Sequence, residues 1–120
     1  MDDPQGVQMV YEPAPVVGDE GFGILKELWR YDGNPPHFRH KADGSPIKYA
    51  TFKGPNEIIG TTVINDGLVY IVTGQDPEHG EGDGHLWAID ATGKGDVTKT
   101  GVVWHFGGKD FKRTMSTVSI

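Results

Sequence analysis

The stretch TTVINDGLVYIVTG, residues 61–74, decides how this chain is read. Two apolar, β-branched runs, EIIGTTVI (57–64) and LVYIV (68–72), flank the tripeptide NDG (65–67). Asn, Asp and Gly tolerate the positive φ angles that a tight hairpin demands, so the two runs are expected to form an antiparallel pair. LVYIV has no polar alternation, as in a strand covered on both faces. The first run mixes Gly and Thr among its aliphatics, which suits a crowded inner strand.

Working outward, three more segments have strand length and are bounded by turn residues: HLWAID (85–90), GVVWHF (101–106) and RTMSTVSI (113–120). GILKELWRY (23–31) places Leu25, Leu28 and Trp29 at helical spacing, but its aromatic end fits a strand equally well and helix caps are missing. The expected fold class is all-β. Gly 18 and Pro 8 in 120 residues give a turn-rich composition suited to short strands. That length accommodates one small domain.

Charge and composition exclude several classes. With a net charge of -6 and no basic stripe, the chain lacks what nucleic-acid binding requires. There is no cysteine, hence no disulfide framework, thiolate metal site or c-type haem attachment. No apolar run approaches the length of a membrane span. The opening residues, MDDPQGVQMVYEPAPVV, have two acids and no apolar core of a signal peptide. Neither a nucleophile elbow nor a phosphate-cradling loop occurs.

An internal repeat organises the chain. LWRYDG (28–33) and VWHFGG (103–108) share an aliphatic-Trp-basic-aromatic-x-Gly pattern, and GTTVI (60–64) or STVSI (116–120) follows each. The two offsets, 75 and 56 residues, differ through loop insertions and lie near the periods of propellers and related arrays.

On these residues the chain resembles the PQQ-like (quinoprotein-type) β-propeller repeat. The matching positions are Asp66, Gly67, Val69 and Tyr70, then Gly84, Leu86, Ala88 and Asp90, then Gly101 and Trp104. The resemblance implies a partial β-propeller of four-stranded antiparallel blades. Residues 1–22 are expected to be irregular, 23–33 to be the outer strand of a preceding blade, and 34–56 an inter-blade loop. Residues 57–108 would form a complete blade and 113–120 the first strand of the next. Trp104, Trp87, Tyr70 and Asp90 would pack the blades, Trp104 by filling the wedge between neighbours. The insertion ATGKGDVTKTG (91–101) interrupts the family's docking motif and shortens the spacing to Trp104 by one residue. Because one blade cannot bury both faces alone, the chain is expected to be a fragment whose partners are the remaining blades.

The functional expectations follow from the same resemblance. The leading one is a non-catalytic binding or scaffold module, similar to the propeller subunit of the outer-membrane β-barrel assembly machinery and located outside the cytoplasm, with a protein or small molecule bound at the rim. The alternatives are part of a PQQ-dependent alcohol or sugar dehydrogenase, with PQQ and calcium held by the full-length protein, and a calcium-stabilised propeller. Arg39, Asn56 and Glu57 have chemistry suited to the quinone site, although no motif selects them. Loop 74–84 carries Asp76, Glu78, Glu81 and Asp83, hard oxygen donors that suit calcium, without the spacing of an EF-hand. The same loop also reads as a solvated, glycine-rich extension. A third reading pairs it across one rim with segment 33–57, which holds Arg39, Lys41, Lys48 and Lys53 together with His37 and His40. His37 and His40 form an H-x-x-H pair that, on a loop, fixes no common face. Trp29 and Trp87 read as packing residues.

Overall fold

The computed structural model describes residues 6–14, 24–34, 36–48, 55–74, 83–112, 114 and 116–120. NDG forms the hairpin as expected. β4 (Val63–Asn65) and β5 (Leu68–Gly74) pair antiparallel with Asn65 opposite Leu68. Both central residues have positive φ, 48° at Asp66 and 75° at Gly67, so the turn twists with the strands it joins. β6 (Asp83–Asp90) and β8 (Val102–Lys112) continue the antiparallel meander, outward from β5. On the other side of β5, β3 (Glu57–Ile58) pairs with Thr73 and Gly74. The run expected to be one strand over 57–64 is thus two short strands on the same neighbour. Residues 59–62 span only Ile71 and Val72 on β5, so the extra residues loop out of the ladder.

A second sheet lies against the first. β1 (Val7–Ala14) pairs antiparallel with β2 (Ile24–Asp32), and β7 (Gly95–Asp96) joins β2 in parallel. The segment that also fitted a helix is therefore a strand over Ile24–Asp32. Residues 1–22, expected to be irregular, contain β1, because Val7–Ala14 finds a complete partner ladder in β2. The one helix among the described residues, α1 (Pro36–Arg39), is a single turn in the segment expected to be a loop.

A further correction concerns residues 113–120. Thr114 and residues 116–120 form no strand, because no ladder partner is offered to them. This tail instead lies along the looped-out residues: Thr61 N donates to Thr117 Oγ1 at 3.2 Å, and Gly60 sits close against the Ser116 carbonyl.

The core lies between the sheets. Trp29 and Tyr31 of β2 meet Val69, Ile71 and Ile89 of the meander, with Val97 from the turn after β7. Insertion 91–101 is what joins the layers. The Trp29 indole donates to the Ala91 carbonyl at 3.1 Å, Val97 N to the Arg30 carbonyl at 2.9 Å, and Asp32 N to Thr98 Oγ1 at 3.0 Å. A second bracket ties the strand ends. Asn34 Nδ2 donates to the Asn56 carbonyl and Asn56 N donates to Asn34 Oδ1, both residues buried. These bonds satisfy backbone groups that burial would otherwise leave unpaired.

Candidate functional site

Register assigns every meander residue to one of two faces. Val69, Ile71 and Thr73 stand opposite Ile89, Trp87 and His85, and His105 stands opposite Trp87. This is the face that β2 covers. Tyr70 and Val72 stand opposite Ala88 and Leu86, which in turn face Trp104 and Phe106. This second face is open. Trp104 is 41% exposed and Phe106 50%, whereas Ala88 beneath them is fully buried by its own neighbours. Tyr70 and Trp104 lie 5.9 Å apart, and Phe106 meets Phe111 edge-on at 5.5 Å. The sequence pattern of LVYIV anticipates two covered faces; among the described residues Val72 and Ala88 are buried on the second face too, while its outer strand leaves Trp104 and Phe106 exposed.

The repeat acquires a structural meaning here. Trp29 and Tyr31 of LWRYDG are 1% and 2% exposed, buried against the meander. Trp104 and Phe106 hold the same places in VWHFGG and face outward.

At the upper end of the covered face, beyond Tyr31, lies a stack of aromatic and imidazole rings. Trp87 and His105 stack at 3.9 Å, and His85 stacks on His105 at 5.1 Å. Tyr31 meets Trp87 edge-on at 5.6 Å, and Phe38 of α1 meets His85 edge-on at 5.8 Å. His85 Nδ1 and His105 Nε2 are 2.9 Å apart, a hydrogen bond in which the tautomer decides which ring donates. His85 is buried while His105 reaches solvent, yet enough of its ring is covered that desolvation holds its pKa below the ordinary 6.5. Burial likewise pushes the Tyr31 hydroxyl upward and keeps it protonated. Among the described residues, neither the buried Thr73 hydroxyl nor the Trp87 indole nitrogen has a hydrogen-bond partner. Sequence reading passed over His85 and His105. The parity of HLWAID and VWHFGG places each on a face, but only the register between β6 and β8 brings them together.

The other expected site residues are placed as follows. Asp76, Glu78 and Glu81 lie outside the described residues, as do Lys53 and His79, and Asp83 opens β6 opposite Lys112. No group of three or more metal-ligating side chains occurs among the described residues. His37 lies in α1 with its ring 4.7 Å from Phe38, and His40 follows the helix in a bridge to Pro46. Arg39 grips Asp32 with two bonds of 2.5 and 2.6 Å, fastening α1 to the end of β2. Lys41 and Lys48 are exposed, Asn56 belongs to the amide bracket and Glu57 opens β3. Trp29 is a core residue as expected, Trp87 is half-buried in the ring stack, and Tyr70 is half-buried on the open face. Asp90 is exposed, and its carboxylate caps the turn after β6 by accepting from Thr92 N and Oγ1. No helix among the described residues is long and apolar enough to cross a membrane. Comparison with known protein families, curated proteins and solved structures finds no match to the chain.

Proposed function

We propose that this chain is a non-catalytic binding module of the PQQ-like propeller kind, in which the open face of the meander meets a neighbouring repeat of the same protein. The observation that carries the proposal is the twofold use of one pattern. Trp29 and Tyr31 are buried against a meander face, and Trp104 and Phe106 offer the same chemistry on a face that leaves them 41% and 50% exposed. A cluster of exposed aromatic side chains on one sheet face marks an interaction surface. The antiparallel sheet over 57–112, four strands wide because β3 and β4 share one edge of β5, supports the same reading, with β2 as the contribution of the preceding repeat. In this arrangement the sheet faces serve architecture and the loops at the sheet ends form the rim that binds a ligand.

The substitution Trp104→Ser tests it. If Trp104 serves a neighbouring unit, the variant chain keeps its melting temperature within a few degrees and self-associates less by analytical ultracentrifugation. A large fall in melting temperature would instead make Trp104 part of this chain's own core and remove the docking role. The non-catalytic part has a separate test. PQQ with calcium should produce neither dye reduction in the presence of an alcohol nor a thermal shift, and dye reduction would overturn it.

A further inference from the structure

β2 and β8 carry the two copies of one pattern, and β2 shows what such a strand takes up along its outer edge. β1 fills one edge of β2, so alternate residues turn their backbone groups the other way. Gly33 N donates to the Gly6 carbonyl on the β1 side, which leaves Arg30 and Asp32 directed outward. Insertion 91–101 clasps that outer edge. β7 pairs in parallel with Trp29 and Arg30, Val97 N donates to the Arg30 carbonyl, and Asp32 N donates to Thr98 Oγ1. Residues 95–98, GDVT, thus hold a strand edge through backbone groups and one hydroxyl.

β8 repeats this edge without the clasp. The direction of its backbone groups follows from the hairpin. Asn65 and Leu68 bond each other across the two-residue turn, so Leu68 faces β4, and Val69, Ile71 and Thr73 face β6. Their partners Ile89, Trp87 and His85 therefore face β5, while Leu86 and Ala88 face β8. Asp90 N, which donates to the Gly101 carbonyl, has the same sense. Trp104 and Phe106 bond to Ala88 and Leu86, so His105 and Gly107 direct their N–H and C=O groups away from the sheet. These two residues hold the places of Arg30 and Asp32 in the pattern. β8 is the last strand of its sheet, and no described residue pairs with its outer edge. Such an edge is a template for a further strand.

Resting on the reading of the open face as a contact with a neighbouring repeat, we propose that the outer edge of β8 receives a Gly-Asp-Val-Thr-like segment of that repeat as a short parallel strand. The valine N–H of the segment donates to the His105 carbonyl, and Gly107 N donates to the threonine hydroxyl. Residues 95–98 of this chain are already engaged on β2, so the segment comes from outside it.

The peptide ATGKGDVTKTG, the sequence of residues 91–101, titrated to millimolar concentration into the isotope-labelled full chain tests the clasp. Amide resonances of residues 104–108 should shift, and hydrogen exchange at Gly107 N should slow severalfold. A peptide N-methylated at Val97 cannot donate to His105, and one with Thr98→Val cannot accept from Gly107. Each should bind about two- to tenfold more weakly, as for one hydrogen bond lost. The folded chain is the same in every arm, so no variant can fail by unfolding. The clasp is overturned if β8 shows no shift, if the shifts fall on β2 alone, or if both altered peptides bind as well as the original. Should that happen while Trp104→Ser still lowers self-association, the neighbouring-repeat reading stands and only the clasp falls.

Discussion

His105 is the residue whose charge state the fold controls most visibly. Its pKa is lowered by burial, so the unfolded chain binds the extra proton more readily than the folded one. The stability it contributes is complete above the ordinary imidazole value of 6.5 and is lost as pH falls through the lower folded value. Melting temperature should therefore drop as pH is lowered from 7 through that range, and His105→Phe should flatten this part of the profile. An unchanged slope would mean that His105 ionises as freely in the folded chain as in the unfolded one. Asp90, Asp96 and Asp43 share another device. Each caps a turn with its carboxylate on a hydroxyl and a backbone N–H two residues on, and those bonds hold all three pKa values below the ordinary carboxylate value. The D-x-T and D-x-S spacings of these caps are plain in the sequence, because the partners are neighbours along the chain. The imidazole pair is not, because its members are 20 residues apart and meet only through strand register.

At the scale of single elements, the β4–β5 hairpin follows from local chemistry alone. Gly67 has φ 75°, with nothing near the position where a Cβ would stand, so Gly67→Ala should cost only the backbone strain, about 1–2 kcal/mol. Equilibrium unfolding in urea measures it, and a neutral result would show that the turn relaxes to another type. β7 is the opposite case. Gly95 and Asp96 carry no strand signal, and they pair in parallel with β2 because Val97 beside them is buried against Trp29 and Ile89 in the core cluster. Val97→Ala should cost about 1.5–3 kcal/mol by the apolar surface it stops burying. It should also speed hydrogen exchange at Val97 N, which bonds the Arg30 carbonyl. Similarly, β1 was illegible because Tyr11, Glu12 and Pro13 interrupt any simple period, and only the ladder from β2 makes the segment a strand. The break between β3 and β4 depends on how residues 59–62 fit beside two residues of β5, a matter of register rather than propensity.

For the whole molecule, the central fact is an apolar sheet with one face covered and the other offering Trp104 and Phe106. Substituting Trp104 separates a surface that serves a further unit from one that serves this chain. The sequence by itself determined the all-β class, the hairpin at 65–67, the packing role of Trp29, and the likeness between LWRYDG and VWHFGG. All of these rest on turn chemistry, β-branched runs and spacing along the chain, which are local. The tertiary structure alone decided that insertion 91–101 fastens one sheet to the other, that residues 116–117 lie along residues 60–61 without forming a strand, and that His85 and His105 meet beside Trp87. Each of these depends on which strand pairs with which and in what register. Segments distant along the chain settle that together, through the apolar surface they bury and the hydrogen bonds they complete.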